Sequence, residues 1–348
     1  MADNSVLIDS ITQFLMTNPS VSSKEIHEGI ELKVGYATVK RALQGLIEQD
    51  LVNTTGKGKG TKYELSEAYT ILSPINEDAY FEKEIDDRDV QESFNQHLIQ
   101  ETLKNLNLFN QEERKKLQAL EKIFKANTSE LTPIEFNREF ERLAIDLSWK
   151  SSQIEGNTYS LLETERLLKD QETASGKTKD EATMLLNHKA ALDFILDHRD
   201  FVKPLTIARI EDLHSILIKD LNVGRNLRKR RVGISGTNYK PLDNEFQIRE
   251  SLQALCDLIN SKEDVFEKAL LALVLISYIQ PFEDGNKRTA RIISNAILMN
   301  ENNCPISFRT VDAIDYKKAM LIFYEQNNIS VFKKIFIEQY EFAVKTYF

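Results

Sequence analysis

Apolar positions recur every three to four residues over 6–16 and again over 36–49, where Val39, Leu43, Leu46 and Ile47 share one face, so both stretches predict helices. Between them, Ser22 and Glu25 have the spacing of a capping box and predict the start of a further short helix. The period then changes. Residues 51–54 and 62–65 flank the loop Gly56-Lys57-Gly58-Lys59-Gly60 and read as the two strands of a ribbon. Three helices and a ribbon make a first unit over residues 1–70. An acidic stretch at 76–92 reads as a connector or exposed helix start. Helical sequence follows over 94–125, with a break at Leu131-Thr132-Pro133, so residues 71–131 are expected to link two domains.

From 132 to 348 the pattern is mostly helical. Residues 181–196 and 210–217 read as buried helices, and further helices close the chain over 316–326 and 331–348. Residues 265–279 are apolar on nearly every face, which describes a helix enclosed by a core rather than an amphipathic one. Pro281 ends it, because a proline disfavours helix at the residue before it. Helical periodicity resumes near Lys287 through Ile292, Ile293, Ala296, Ile297 and Met299.

The turn between these two helices carries the chemistry. Lys287, Arg288 and Arg291 sit where the second helix begins. The partial charge of a helix N-terminus is positive, so cations belong at the other end. A bound anion resolves the conflict: first-turn N–H groups and the Gly285-Asn286 bend form a phosphate cradle. Asp284 is placed to hold the magnesium that accompanies a polyphosphate.

The stretch Gln280-Pro281-Phe282-Glu283-Asp284-Gly285-Asn286-Lys287-Arg288-Thr289-Ala290-Arg291 resembles the signature loop of the Fic family, His-Pro-Phe-x-Asp/Glu-Gly-Asn-Gly/Lys-Arg-x-x-Arg, at every fixed position except the first. The resemblance implies AMP transfer from ATP to a Ser, Thr or Tyr hydroxyl of a target protein. By the same resemblance Asp284 holds Mg²⁺, Asn286 contacts the phosphates, and Arg288 and Arg291 neutralise the β- and γ-phosphates, with Gly285 and Lys287 beside them. Gln280 stands where the family's general base stands. A glutamine amide hydrogen-bonds but cannot usefully take up a proton, and losing a general base costs about 10²–10⁴-fold in rate. Three readings stand open: a natural nucleotide binder with weak or altered chemistry, an engineered substitution that traps an inactive enzyme, or a base supplied by another group. The histidines, His27, His97, His188, His198 and His214, do not adjoin the loop and read as structural or exposed.

Two upstream segments fit the same family. Ser151-Ser152-Gln153-Ile154-Glu155-Gly156 matches its inhibitory pattern, Ser/Thr-x-x-x-Glu-Gly/Asn, placed on a helix over 145–160. The resemblance pairs Glu155 with Arg291, where a carboxylate would compete with a γ-phosphate for the same donors. Residues 231–242, alternating and glycine-punctuated, resemble the family's flap, a β-hairpin beside the active site whose edge aligns a target segment. Tyr239 on that flap is a candidate nucleotide contact. The run Arg225, Arg228, Lys229, Arg230, Arg231 reads as a solvated face or as steering for phosphates or an acidic target.

The first unit resembles a winged helix-turn-helix over about residues 5–67. In such modules the third helix enters the major groove and the wing meets the backbone. Lys40, Arg41, Lys57 and Lys59 are then the candidate DNA contacts, with Lys33 and Lys62 nearby. Residues 1–70 carry seven Lys/Arg against nine Asp/Glu, so modest, salt-sensitive binding is expected. A dimerisation or protein–protein module is the competing reading.

Composition narrows the field. A net charge of −9 excludes a general nucleic-acid coat protein and leaves room for a local basic patch. Two cysteines, Cys256 and Cys304, suit a reducing cytoplasm and form no metal pattern. No apolar run reaches membrane-spanning length, and no signal-peptide pattern opens the chain. The expectation is a mainly α protein in three parts: a winged helix-turn-helix over 1–70, a connector over 71–131, and a Fic-like core with a hairpin flap over 132–348. It would be a cytoplasmic protein adenylyltransferase using ATP and Mg²⁺, restrained by Glu155 and impaired at Gln280. A nucleotide-sensing DNA-binding regulator and a de-AMPylating enzyme are the alternatives. A homodimer is a further partner this reading leaves open.

Overall fold

The structure, a computed structural model, describes residues 4–348; residues 1–3 of the expected first unit lie outside the described residues. The chain divides into two units, one reaching to residue 74 together with 108–112, the other comprising 75–107 and 113–348.

In the first unit α1 (Asn4–Thr17), α2 (Ser23–Gly29) and α3 (Tyr36–Glu48) precede β1 (Val52–Thr55) and β2 (Lys62–Leu65), and α4 (Ala68–Leu72) follows. The expected capping box is present: Ser22 accepts from the Glu25 N–H and the Glu25 carboxylate accepts from the Ser22 N–H. Leu7, Ile11, Leu15, Ile26, Val39, Leu43 and Leu46 are buried and form the core. β1 and β2 pair antiparallel, Val52 opposite Leu65 and Thr55 opposite Lys62. Glycine is required at Gly56, where φ is +79° and an added Cβ would lie 2.5 Å from the Gly60 carbonyl oxygen.

The second unit is helical: α5 (Glu77–Phe81), α6 (Gln96–Gln100), α7 (Gln111–Glu130), α8 (Pro133–Ile154), α9 (Leu161–Asp170), α10 (Lys179–Asp197), α11 (Ile207–Leu217), α12 (Glu245–Ser261), α13 (Val265–Ile279), α14 (Asn286–Asn300), α15 (Ala313–Gln326) and α16 (Ser330–Tyr347). The Leu131-Thr132-Pro133 break is where α8 starts, with Thr132 and Glu135 forming a capping box and Pro133 in the first turn. Buried α13 lies against α12, α14 and α15, while α14 also meets α8, α10 and α11. The site loop is thus mounted between the two most enclosed helices of the unit.

Two expectations are corrected. Residues 75–107 and 113–131 belong to the second unit rather than forming a free connector. The only sheet among the described residues is β1–β2, and 231–242 holds no strand. That segment turns at Ser235-Gly236, with Gly236 at φ +90°, and its one ladder contact is a parallel bridge between Lys240 and Ser93. Gly233, Ser235, Gly236 and Asn238 crowd its middle with residues of low strand preference, which outweighs the alternation.

Candidate functional site

The site begins at the C-terminal end of α13. Gln280 caps that helix in the left-handed region, φ 51° and ψ 58°, and its N–H donates to the Ile276 carbonyl. Its side chain is buried and hydrogen-bonded through both polar atoms. Nε2 donates to the Ser277 carbonyl at 2.7 Å, and Oε1 accepts from Asn286 Nδ2 at 3.0 Å. Asn286 also donates to the Phe282 carbonyl and accepts from the Phe282 N–H, both at 2.8 Å. Its amide, expected to meet the phosphates, is therefore occupied within the loop. Phe282 is buried inside a tight turn, and its backbone groups need partners there.

His214 of α11 supports the same loop from below. Its ring stacks on Phe282 at 3.6 Å and 4°. Nε2 lies 3.0 Å from the Asp284 carbonyl, which can only accept, so this nitrogen carries the proton. Burial pushes the imidazole down to about 4 and keeps it neutral. Sequence reasoning also missed Arg228. Read as a solvated or steering cation, it is buried, and its Nε donates to the Gln280 carbonyl at 2.5 Å. Nη1 donates to the Arg230 carbonyl at 2.9 Å, and the Arg228 N–H to Pro281 at 3.0 Å. The cation sits on the carbonyl end of α13, where the helix dipole favours it.

α14 starts from Gly285, φ +81°, with no side-chain cap on its first turn. The Asp284 side chain is 65% exposed; Oδ1 accepts from the Gly285 N–H and Oδ2 pairs with Arg288 Nη2 at 3.0 Å. Arg288 and Arg291 are buried, and each keeps one Nη1 without an acceptor. Arg291 also donates through Nε to Ser151 Oγ at 2.8 Å and through Nη2 to the Ser151 carbonyl at 2.9 Å, and its guanidinium lies over the Tyr316 ring.

Glu155 caps the C-terminus of α8, followed by Gly156 at φ +98°. The Glu155 carboxylate lies 2.8 Å from Arg291 Nη2 and 3.5 Å from Lys287 Nζ. Burial alone would raise its pKa, but the opposing charges of Arg291, Lys287 and Arg288 outweigh burial and hold it below the usual carboxylate range. Beside this pair opens a cleft of about 400 Å³, walled by Glu155, Ser235, Gln280, Lys287, Tyr316 and Tyr324. The structure thus gathers Glu155, Gly156, Gln280 and Lys287 on one cleft, with Ser151 and Arg291 directly behind.

Tyr239 does not join them. It is 2% exposed, stacks on Tyr278 at 5.0 Å and Tyr324 at 5.6 Å, and donates its hydroxyl to the Tyr278 carbonyl. Its ring completes an aromatic stack behind the cleft wall, which removes it from nucleotide contact.

In the first unit Lys40, Arg41, Lys57 and Lys59 are exposed and in no ion pair among the described residues, whereas Lys62 is engaged by Glu25 at 3.0 Å. No group of three or more His, Cys, Asp or Glu is arranged to hold a metal among the described residues. No helix there is long and apolar enough to cross a membrane. Both cysteines are free and buried.

Residues 204–298 match the Fic/DOC family. The chain is 29% identical over 175 residues to the protein adenylyltransferase Fic of Nematostella vectensis, an overlap of 48% of this chain and 40% of that protein. It is 28% identical over 168 residues to the protein adenylyltransferase Fic of Aedes aegypti, covering 45% and 32%. The chain thus spans less than half the length of these curated relatives. Among solved structures, Fic-1 (residues 134–508) from C. elegans superposes with a TM-score of 0.58 at 22% identity over 68% of this chain and 71% of that one. A Fic domain containing signaling protein from Bacteroides thetaiotaomicron gives 0.57 at 22% identity over 66% and 94%. At such identities the likeness is one of fold. The Fic/DOC match over residues 204–298 thus includes α13, the whole Gln280–Arg291 turn and α14 up to residue 298.

Proposed function

We propose that the second unit binds ATP at the 280–291 loop and is built for AMP transfer to a protein hydroxyl, held back by Glu155 and weakened at Gln280. The observation that carries this reading is the Glu155 carboxylate seated on Arg291 and Lys287 at the head of the cleft. A carboxylate there fills the position of a terminal phosphate and uses the same donors.

The residues fit a polyphosphate. Two buried guanidiniums each hold an unpaired N–H, and the helix behind them begins without a side-chain cap. Arg288 and Arg291 would neutralise the β- and γ-phosphates, and the α14 N-terminus would add its dipole. The exposed Asp284 carboxylate would hold Mg²⁺ together with phosphate oxygens, and the ion would offset charge building on the pyrophosphate leaving group. The acceptor oxygen attacks the α-phosphorus, pyrophosphate departs, and the acceptor proton must go to a base. Gln280 cannot take it. Its amide is, moreover, tied to Asn286 and Ser277 and stays aligned with the loop rather than with an incoming hydroxyl.

Labelled ATP and lysate, incubated with the parent chain, Gln280→His, Glu155→Gly and the double variant, test this reading. Strong labelling confined to the two chains that carry the Gln280→His substitution is expected, greatest in the double variant. Absence of label from all four contradicts it.

A second reading concerns the first unit, where four exposed cations on α3 and the wing carry no ion pair among the described residues. We infer duplex DNA binding through phosphates. Four such contacts predict a slope of roughly −3.6 in log affinity against log salt. A gel shift with random and promoter DNA at low salt that shows no complex removes this part.

A further inference from the structure

The acidic segment after the first unit reads as exposed, yet it is fastened to the second unit at several points. Arg88 and Glu325 are 7% and 0% exposed and pair at 3.2 Å, and Tyr80 donates its hydroxyl to Glu325 at 2.5 Å. The Gln91 N–H donates to the Glu325 carbonyl, and Gln326 donates to that of Asp89. Phe94 stacks on Tyr278 at 4.7 Å, and the Asn95 N–H donates to the Tyr278 hydroxyl. Glu325 directly follows Tyr324, a wall of the cleft, and Tyr278 lies two residues before Gln280.

From this anchored position the segment reaches the flap. Asp86 Oδ1 accepts from Asn238 Nδ2 at 3.0 Å. The Glu92 carbonyl accepts from the Lys240 N–H at 2.7 Å, and the Glu92 carboxylate pairs with Lys240 Nζ at 2.6 Å. At the other end Arg228 holds the Arg230 carbonyl. Between these ends, among the described residues, no hydrogen bond engages the backbone of 232–236. This is the span that lines the cleft through Gly233, Ile234 and Ser235.

We propose that residues 86–93 act as a clamp on the loop at 231–240, fixing the height at which its free backbone span faces the cleft and so the docking of an acceptor segment. The clamp stands on these contacts alone; its effect on acceptor docking rests on the transferase reading. The Glu92–Lys240 ion pair is exposed and contributes little. The backbone bond and the buried Arg88–Glu325 pair carry most of the hold, because a buried charge cannot be left unpartnered. These are positioning residues: none touches the cleft.

The test is amide hydrogen exchange on the full chain, comparing the parent with Arg88→Met/Glu325→Gln, which removes both charges and strands neither, and with the milder Lys240→Met. Within 231–240, exchange of the hydrogen-bonded Tyr239 and Lys240 amides should quicken about 10-fold in the double variant and about 2-fold in Lys240→Met, with α13 amides unmoved. In a Gln280→His/Glu155→Gly background the same changes should reduce labelling of lysate proteins several-fold and leave MgATP titrations unaltered. Unchanged exchange over 231–240 while 82–93 opens overturns the clamp. So does an equal fall in ATP binding and labelling, which would mark a general loss of structure. If the background variant transfers no label, the transferase reading fails, and the exchange data still decide the clamp.

Discussion

Glu155 Oε1 lies 2.8 Å from Arg291 Nη2, joining the end of α8 to the first turns of α14 across 136 residues of sequence. Arg291 is fully buried and the Glu155 side chain only one-fifth exposed, so each would be costly to hold without the other. On the proposed reading, an anion that displaces the carboxylate would replace that partner, and the pair would act as a gate rather than only a brace.

Gln280→His should raise AMP transfer by about 10²–10⁴-fold, the range over which a general base acts. Histidine tolerates the left-handed backbone of this position better than most side chains, so folding should be little affected. Rates measured from pH 5 to 9 should climb through the imidazole pKa in the variant and stay low and flat in the parent. A variant that folds and binds ATP yet gains no rate contradicts the assigned role of the position.

Stability should fall between about pH 6.5 and 4. His214 sits at about 4 against an ordinary 6.5, and burial holds His188 well below its ordinary value too. The unfolded chain therefore takes up protons in that window while the folded chain does not, and the folded state loses ground as pH falls. For His214 alone the loss is on the order of 3 kcal/mol. Glu155 acts in the same direction at lower pH: its lowered pKa adds stability above about 4.5 that is lost as pH falls below that. Urea midpoints across pH 4–8 measure the slope. His214→Phe, which keeps a ring against Phe282, should flatten it in part, and an unaltered slope would remove His214 as a source.

Arg228→Met should destabilise the second unit by about 2–4 kcal/mol, because it leaves buried carbonyls without donors. Thermal unfolding reads this directly. Arg228→Lys should recover only part, since one ammonium cannot span carbonyls that a guanidinium reaches together. A Met variant as stable as the parent would show that the α13 terminus does not depend on this cation.

The fold was legible where the local signal was strong. Residues 265–279 are apolar on nearly every face and closed by Pro281, and the helix has those bounds. Ser22 carries capping spacing and Leu131-Thr132-Pro133 marks a break, and helices open at both places. The Glu155–Arg291 pair could be expected only from two motifs, since no periodicity relates residues so distant. Arg228 was hidden among Lys229, Arg230 and Arg231, and burial of one cation in four is decided by tertiary placement. Tyr239 fell on an alternating stretch, but its ring is fixed by Tyr278 and Tyr324, which lie far along the chain. The acidic segment looked solvated because its anchor, Glu325, lies 237 residues from Arg88.

The most direct test is calorimetric titration of MgATP into the parent chain, Glu155→Gly, and Glu155→Gly/Arg291→Ala. Freed of its carboxylate, the Arg291 guanidinium should bind the nucleotide about tenfold or more tightly than in the parent, a gain the second substitution abolishes. Equal, negligible heats from all three chains would mean that the cations of the 280–291 loop do not serve a nucleotide.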